Sequence, residues 1–567
     1  MTDTEKDFSP GYRKHLEYPE MTMYELVSKT ASAYPQEPAY EFYGRRFTYA
    51  QLMRRISRAA AALVSLGVKP GDAVTICMPN LPQTVDAFYA VSRIGAVANM
   101  IHPLSAQKEI TYYLNLAASR FILVPDMFYE KVKEAVKEAD HEVLILCARI
   151  QEELPLHLKA AYILKAGRPY LKYPLGGDVD WQKCLEEDHP VQLPKVAFDR
   201  NRTAVILYSG GTTGRPKGVC LSDYNFNALS ISAIEYLQVS FEPGLSMLAC
   251  MPMFHGFGLG VNIHCILTHG ARCILMPTFN IKSYTEILLK RKPNYIAGVP
   301  TIFEALLHAE GLKNKDLSFL LGMFCGGDSL PVELKRRIDD FLHAHNAMIQ
   351  VREGYGLTEC VTASCLTPKD TWREYSIGLA FPDITYDVVR PGTDESVPRG
   401  EEGELVLKGP TLMLGYLHNP EETAKALRKR SDGDTWLYTG DIGYMDEDDY
   451  IYFCRRMKRM IITNGYNVYP EIIENEIDKV AGVQLSCVIG IPDERRGQKV
   501  IAYVVPQDTA RAAEAMKKEI MDALRKAVAA YALPKEIIFR EDLPKTLVGK
   551  VAYHVLEEEV SRTGTSV

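Results

Sequence analysis

Ala204-Val-Ile-Leu-Tyr-Ser209-Gly-Gly-Thr-Thr-Gly-Arg-Pro-Lys217-Gly-Val219 is the stretch from which both the fold and the chemistry of this chain can be read. An apolar run of strand character delivers a loop built from Ser209, Gly210, Gly211, Thr212, Thr213 and Gly214, closed by Lys217. Glycines let a backbone approach a ligand closely, and hydroxyls and a lysine supply donors, so the composition predicts phosphate binding. The loop is not that of a P-loop nucleotide hydrolase. Lys217 follows Pro216 and precedes Gly218, where that motif needs Ser or Thr to hold magnesium.

Outward from the loop, helical and strand periods alternate. Thr48 is placed to cap a helix whose Leu52, Ile56, Ala60 and Leu63 share a face, and residues 73–78 then read as a buried strand. Helices are expected over 81–97, 109–117 and 130–139, with strands over 98–101, 121–125 and 143–147 between and after them. A second alternating region runs from Arg202 to about Ile349, and 388–406 reads as short strands broken at Pro391-Gly392 and Gly400. The expected fold is α/β. A large N-terminal domain (1–457) would hold doubly wound α/β subdomains plus a small β-rich subdomain, followed by a small mobile α+β C-terminal domain (458–567).

Composition narrows the function classes. The 65 Lys and Arg against 72 Asp and Glu leave a net charge of -7, so a dedicated nucleic-acid binder is not expected. Twelve cysteines form no C-x-x-C pair and the N-terminus has no secretory pattern, which points to a reducing, cytoplasmic compartment. The most apolar stretch, 246–279, is interrupted by His255, Asn262, His264, His269 and Arg272, so no membrane span is expected. In 149–175, Leu154, Leu158, Ala161, Tyr162 and Leu164 interleave with Lys159, Lys165, Arg168 and Lys172. That composition suits an interfacial helix in peripheral contact with a membrane surface, or a solvated excursion packed on the domain.

The loop at 209–217 closely resembles the signature of the adenylate-forming superfamily of acyl-CoA synthetases, adenylation domains and luciferases. The resemblance continues in order along the chain: Tyr355-Gly-Leu-Thr358-Glu359, Tyr438-Thr-Gly-Asp441, Arg456-Met-Lys458 and Pro544-Lys-Thr-Leu-Val-Gly-Lys550. It implies a reaction in which a carboxylate attacks the α-phosphate of ATP, releasing pyrophosphate and leaving an acyl adenylate. Transfer to the thiol of CoA then gives the thioester and AMP. Two anions must meet, so such a site needs positive charge and Mg2+ where the transition state gathers negative charge.

Carried over by position, the resemblance makes Glu359 the magnesium ligand and gives the Thr358 hydroxyl to the α-phosphate. Asp441 takes the ribose hydroxyls, and Tyr355 stacks on adenine beside the loop Gly326-Gly327-Asp328-Ser329. Arg456 adds charge near ribose and phosphate, and Lys550 bridges carboxylate and α-phosphate. Lys458 is the hinge, and the 464–466 loop, with Gly465 and Tyr466, faces CoA. Arg455 and Arg459 depart from the family pattern, which bears on the acceptor side. Met251-Pro-Met-Phe-His255 resembles the border of the acyl pocket, where His255 gates the pocket or orients the carboxylate, and Val299 and Gly354 line the same cavity.

Small and apolar residues there favour an uncharged tail, a fatty acid over an amino acid, and the chain as a whole, with its insert at 149–175, most resembles medium- or long-chain fatty acyl-CoA synthetases. The short stretch after Lys550 leads us to expect no fused carrier domain, which favours CoA as acceptor. An acyl-AMP ligase loading a separate carrier protein, or an aryl-CoA ligase, remains the alternative. A non-catalytic nucleotide-binding scaffold would be expected to have lost Lys550, Glu359 or Asp441, and all are present.

Overall fold

The computed structural model describes residues 14–166, 177–209, 216–239, 241–459, 461–463, 466–468, 470–493, 497–507, 513–528, 530–546 and 551–563. The expected alternation forms. Helix Tyr49–Ser65 begins at Thr48, whose side chain accepts from the Gln51 amide in a reciprocal capping box, and it buries Leu52, Ile56, Ala60 and Leu63. The helix expected over 81–97 is shorter, Pro82–Arg93. Gly95 at φ +73° turns the chain after Arg93, and strand Val97–Met100 then pairs in parallel with Ala73–Ile76.

Three sheets organise the described residues. The first has eight strands, ordered Gly415–Tyr416, Lys217–Ser222, Thr203–Ser209, Val97–Met100, Ala73–Ile76, Phe121–Pro125, Leu144–Ala148, Val179–Asp180. It is parallel except at the edge holding Lys217–Ser222 and Gly415–Tyr416. The second has fourteen strands. Its parallel part (Pro38–Phe42, Ser246–Ala249, Arg272–Leu275, Tyr295–Gly298, Gly322–Cys325, Val351–Tyr355) runs through Cys365–Leu366 and Ser376–Ala380 into the antiparallel strands Ile451–Arg456, Thr435–Met445, Gly403–Lys408 and Thr385–Val389. The β-rich region expected within the N-terminal domain is thus hydrogen-bonded to the second α/β sheet. One apolar cluster, from Met23 to Ile451, runs through all of it.

The third sheet has five strands, all from residue 461 onward. Its two faces bury alternate residues, as the period of two requires. Val488, Val500, Ala502 and Val504 pack with Ile473, Ile477, Ile520 and Leu524 of helices Pro470–Asp478 and Ala513–Ala527. Ile489, Ile491, Ile501 and Tyr503 pack with Leu556 of helix Tyr553–Thr563. Among the described residues no helix is long and apolar enough to cross a membrane.

Candidate active site

Strand Thr203–Ser209 turns back antiparallel as Lys217–Ser222, with Ser209 opposite Lys217. The loop residues Gly210, Gly211, Thr212, Thr213 and Gly214 lie outside the described residues. Its exit is anchored, because the Tyr112 hydroxyl donates to the Pro216 carbonyl at 2.9 Å. Lys217 forms an ion pair with Glu422, and its ammonium sits 4.8 Å from the centre of the Tyr416 ring.

Glu359 leaves the end of strand Val351–Tyr355 on a single helical turn, Thr358–Cys360. That turn is closed by two β-branched residues in the left-handed region, Val361 at φ +63° and Thr362 at φ +123°. Such strain costs of order 1–3 kcal/mol at each position and persists where surrounding packing enforces it. The packing here leaves no room: a Cβ on Gly356 would come within 2.0 Å of the Thr362 carbonyl oxygen, and one on Gly256 within 2.6 Å of that of Val361. The turn presents Glu359 toward the phosphate loop, where its Oε1 accepts from Ser209 Oγ at 3.1 Å and from the Tyr416 hydroxyl at 2.9 Å. Thr358 is half-buried at the start of the same turn.

On the other side of Tyr355 lies the end that the resemblance assigns to the nucleoside. Tyr355 donates from its hydroxyl to Asp441 Oδ2 at 2.7 Å, and its ring packs 6.1 Å from that of Phe453. Arg456 is the register partner of Asp441, with Nε 3.5 Å from Oδ1. Asp441 is buried, at 2% exposure. The Gly326-Gly327-Asp328-Ser329 loop follows strand Gly322–Cys325, with Gly327 at φ +81° and the Ser329 amide donating to Asp328 at 3.0 Å. Glu353, opposite Cys325 on strand Val351–Tyr355, accepts from the Leu330 amide at 3.0 Å, and burial pushes its carboxyl up to about 7. Five segments far apart in sequence thus converge between 209 and 456.

A cavity opens from this end, bounded by Gly326, Gly327, Gly354 and Tyr355 and continuing between Phe241, Met247, Phe257, Phe324, Leu366 and Phe381. No charged side chain lines it among the described residues. Of the three residues expected there, Gly354 lines it, whereas His255 and Val299 do not. His255 Nδ1 accepts from the amide of Phe257 at 3.1 Å, and it is Phe257 that enters the cavity. Val299 is 3% exposed, packed in the core ahead of helix Pro300–Leu307.

Lys550 and Gly465 lie outside the described residues. The backbone of Lys458 is in the short turn Met457–Arg459, between strand Ile451–Arg456 and the third sheet, and that of Tyr466 begins strand Tyr466–Val468. Arg455 pairs with Glu402 at 2.5 Å and Arg459 with Glu474 at 2.6 Å, so both departures from the family pattern are neutralised locally. Sequence reasoning missed Tyr416, Glu422 and Phe453. The run Asn419-Pro420-Glu421-Glu422 does carry a helix-start signal, but nothing in it marks nearness to a strand 200 residues earlier.

Among the described residues no group of three or more His, Cys, Asp or Glu could cage a metal ion. The donor set still fits magnesium, which is commonly held by one or two carboxylates plus substrate phosphates. Glu359 offers a hard oxygen, Oε2, with no hydrogen-bond partner among the described residues.

Residues 27–417 match the family model described as AMP-binding enzyme, and 472–550 match that of the AMP-binding enzyme C-terminal domain. The chain is 33% identical over 555 residues to a long-chain-fatty-acid–CoA ligase of Bacillus subtilis (strain 168), covering 96% of this chain and 95% of the relative. It is 32% identical over 529 residues to a feruloyl-CoA synthase of an Amycolatopsis species, covering 93% and 96%. The crystal structure of ATP-bound MatB from Rhodopseudomonas palustris superposes with a TM-score of 0.80 at 26% identity, covering 96% of this chain and all of that one. Motif order, converging geometry and matches along nearly the whole length agree: the chain belongs to the AMP-binding enzyme family.

Proposed function

We propose that this protein activates a medium- or long-chain fatty acid with ATP, releasing pyrophosphate, and transfers the acyl group to CoA with release of AMP. The observation that carries the choice of acid is the uncharged cavity opening directly from the Tyr355 end of the site. An amino-acid substrate would want a carboxylate for its ammonium, whereas a hydrocarbon tail wants apolar walls. The long-chain ligase relative supports the same class, and the feruloyl-CoA synthase relative keeps aryl-propenoic acids as the second reading.

Each residue has a physical task in this reading. Asp441 would receive the ribose hydroxyls, its carboxylate held in place by Tyr355 and Arg456. Tyr355, held by Phe453 and by its own hydroxyl, would stack on adenine beside the Gly327-Asp328-Ser329 loop. Ser209, Thr212, Thr213 and the loop amides would cradle the phosphates, with Thr358 on the α-phosphate and Arg456 supplying fixed charge. Magnesium, when bound, would spread the negative charge of the phosphates, and Glu359 Oε2 would hold it. Lys550 would bring substrate carboxylate and α-phosphate together. His255, two residues before Phe257 of the cavity wall, would border the carboxylate end.

The 458–567 segment would act as a mobile domain. Rotation about Lys458 after adenylation would withdraw Lys550 and bring Gly465 and Tyr466 to the CoA thiol. The long, exposed side chains of Leu156 and Leu164 on helix Leu156–Ala166 support peripheral contact with a membrane surface, where such acids are found.

The test is AMP release by purified protein with ATP, magnesium and CoA, against acetate, octanoate, palmitate, benzoate and ferulate. Thioester formation on octanoate or palmitate is the expected result. Turnover of ferulate alone would move the assignment to aryl acids, and adenylate accumulating without CoA consumption would point to a carrier-protein acceptor.

A further inference from the structure

One edge of the first sheet reaches the candidate metal carboxylate. The segment 413–423 enters with the Met413 amide donating to the Glu359 carbonyl at 2.8 Å. It then pairs antiparallel with Lys217–Ser222, Tyr416 opposite Val219, and the Leu417 amide reaches the Gly218 carbonyl at 2.7 Å. The Tyr416 amide donates to Thr423 Oγ1 at 2.8 Å, which ties the strand to helix Pro420–Ala426. From that helix Glu422, whose amide is capped by Asn419 at 3.1 Å, takes Lys217 and holds it over the Tyr416 ring. The ring is thereby fixed on both its backbone and its face, and its hydroxyl meets Glu359 Oε1 at 2.9 Å.

We propose that Tyr416 is a positioning residue for the Glu359 carboxylate, and that the Glu422–Lys217 pair clamps the Tyr416 ring as part of the same brace. The proposal rests on the reading of Glu359 as the magnesium ligand. With Tyr416 and Ser209 both donating to Oε1, the carboxylate is confined to one orientation and Oε2 faces the place where a cation would bind. Hydrogen-bond partners that orient a ligating carboxylate typically contribute about 10–100-fold to metal affinity. The brace also gives Lys217 a task other than direct phosphate contact. Its ammonium is neutralised by Glu422 and spends its remaining field on an aromatic face.

The experiment measures ATP binding to the full chain by calorimetry as magnesium is titrated, alongside ATP binding without metal and thermal unfolding. Tyr416→Phe keeps the ring and removes the donor. It is expected to raise the magnesium concentration for half-maximal enhancement of ATP binding about tenfold, with metal-free ATP binding and the melting temperature essentially unchanged. Glu422→Gln, which loosens the clamp without touching the hydroxyl, should shift the magnesium dependence in the same direction by less. Glu359→Gln serves as the reference. If it shifts the magnesium dependence while Tyr416→Phe and Glu422→Gln do not, the brace is overturned and the metal ligand stands. If Glu359→Gln has no effect either, it is the reading of Glu359 that falls. A purely structural role for Tyr416 would appear as a lowered melting temperature with the magnesium dependence intact, and would equally overturn the proposal.

Discussion

Glu353 shows how a single buried carboxyl sets a pH response. It sits on the strand that delivers Tyr355 and braces the loop beside the nucleoside end through the Leu330 amide. Burial is the largest effect and raises its pKa, the Leu330 amide and the charge of Lys335 pull it back, and the result is about 7 against a usual 4.5. A carboxyl raised in the folded state is tolerated best when protonated. Its contribution to stability is therefore complete below about pH 4.5 and is lost as pH rises through about 7, by roughly 3 kcal/mol at about 1.4 kcal/mol per pH unit. Glu353→Gln should flatten the fall in denaturation midpoint between pH 4.5 and 7.5; an unchanged slope would place Glu353 in a wetter setting than its 8% exposure indicates. Nothing in the sequence marked this residue, because a Glu two positions before a predicted site tyrosine is an ordinary surface residue until neighbours cover it. Glu359, Asp441 and Tyr355 were legible only because each sits inside a motif.

At the scale of elements, helix Leu156–Ala166 is the one whose exposed face is unusual. Leu156 and Leu164, two turns apart, are 86% and 85% exposed, while Lys159 pairs with Glu152 at 2.6 Å on the protein side. Apolar side chains so fully in water suit insertion at the boundary of headgroups and acyl chains, reinforced by basic residues that follow in sequence. Part of the stretch expected to form this helix, 167–175, falls outside the described residues. The protein is expected to float with anionic vesicles, and Leu156→Ser with Leu164→Ser should reduce the bound fraction severalfold without lowering the melting temperature. Failure of the parent protein to float would remove membrane contact from the assignment. Local signals served well where capping chemistry decided the boundary, as at Thr48. They overran where a glycine turn ended the helix, as at Gly95, because an apolar run reads alike in a buried helix and a buried strand.

For the whole molecule, adenylation and thioester formation are proposed to use one site in two arrangements. Lys550→Ala is expected to slow adenylate formation by at least about a hundredfold, the scale set by removing one preorganised charge from a transition state. Thioester formation from supplied acyl adenylate and CoA should stay near the parent rate. Equal loss in both half-reactions would contradict rotation about Lys458. The construction of the chain favours such motion: the third sheet draws its two cores entirely from residue 461 onward, whereas the core cluster that reaches from Met23 to Ile451 buries no residue of that sheet.

The linear order of residues determined the α/β alternation, the phosphate loop and the four further motifs, because periodicity, capping and glycine–hydroxyl composition act within a few residues of one another. It also determined the absence of a clean apolar span long enough to cross a bilayer among residues 246–279. Tertiary structure alone decided that the β-rich strands extend the second sheet, that Phe257 rather than His255 enters the cavity, and that Tyr416 and Glu422 reach Glu359 and Lys217. Those outcomes depend on pairings between segments up to 200 residues apart. Their free energy comes from burial and hydrogen bonds made only when distant strands meet, and no local pattern encodes which strand will be the neighbour.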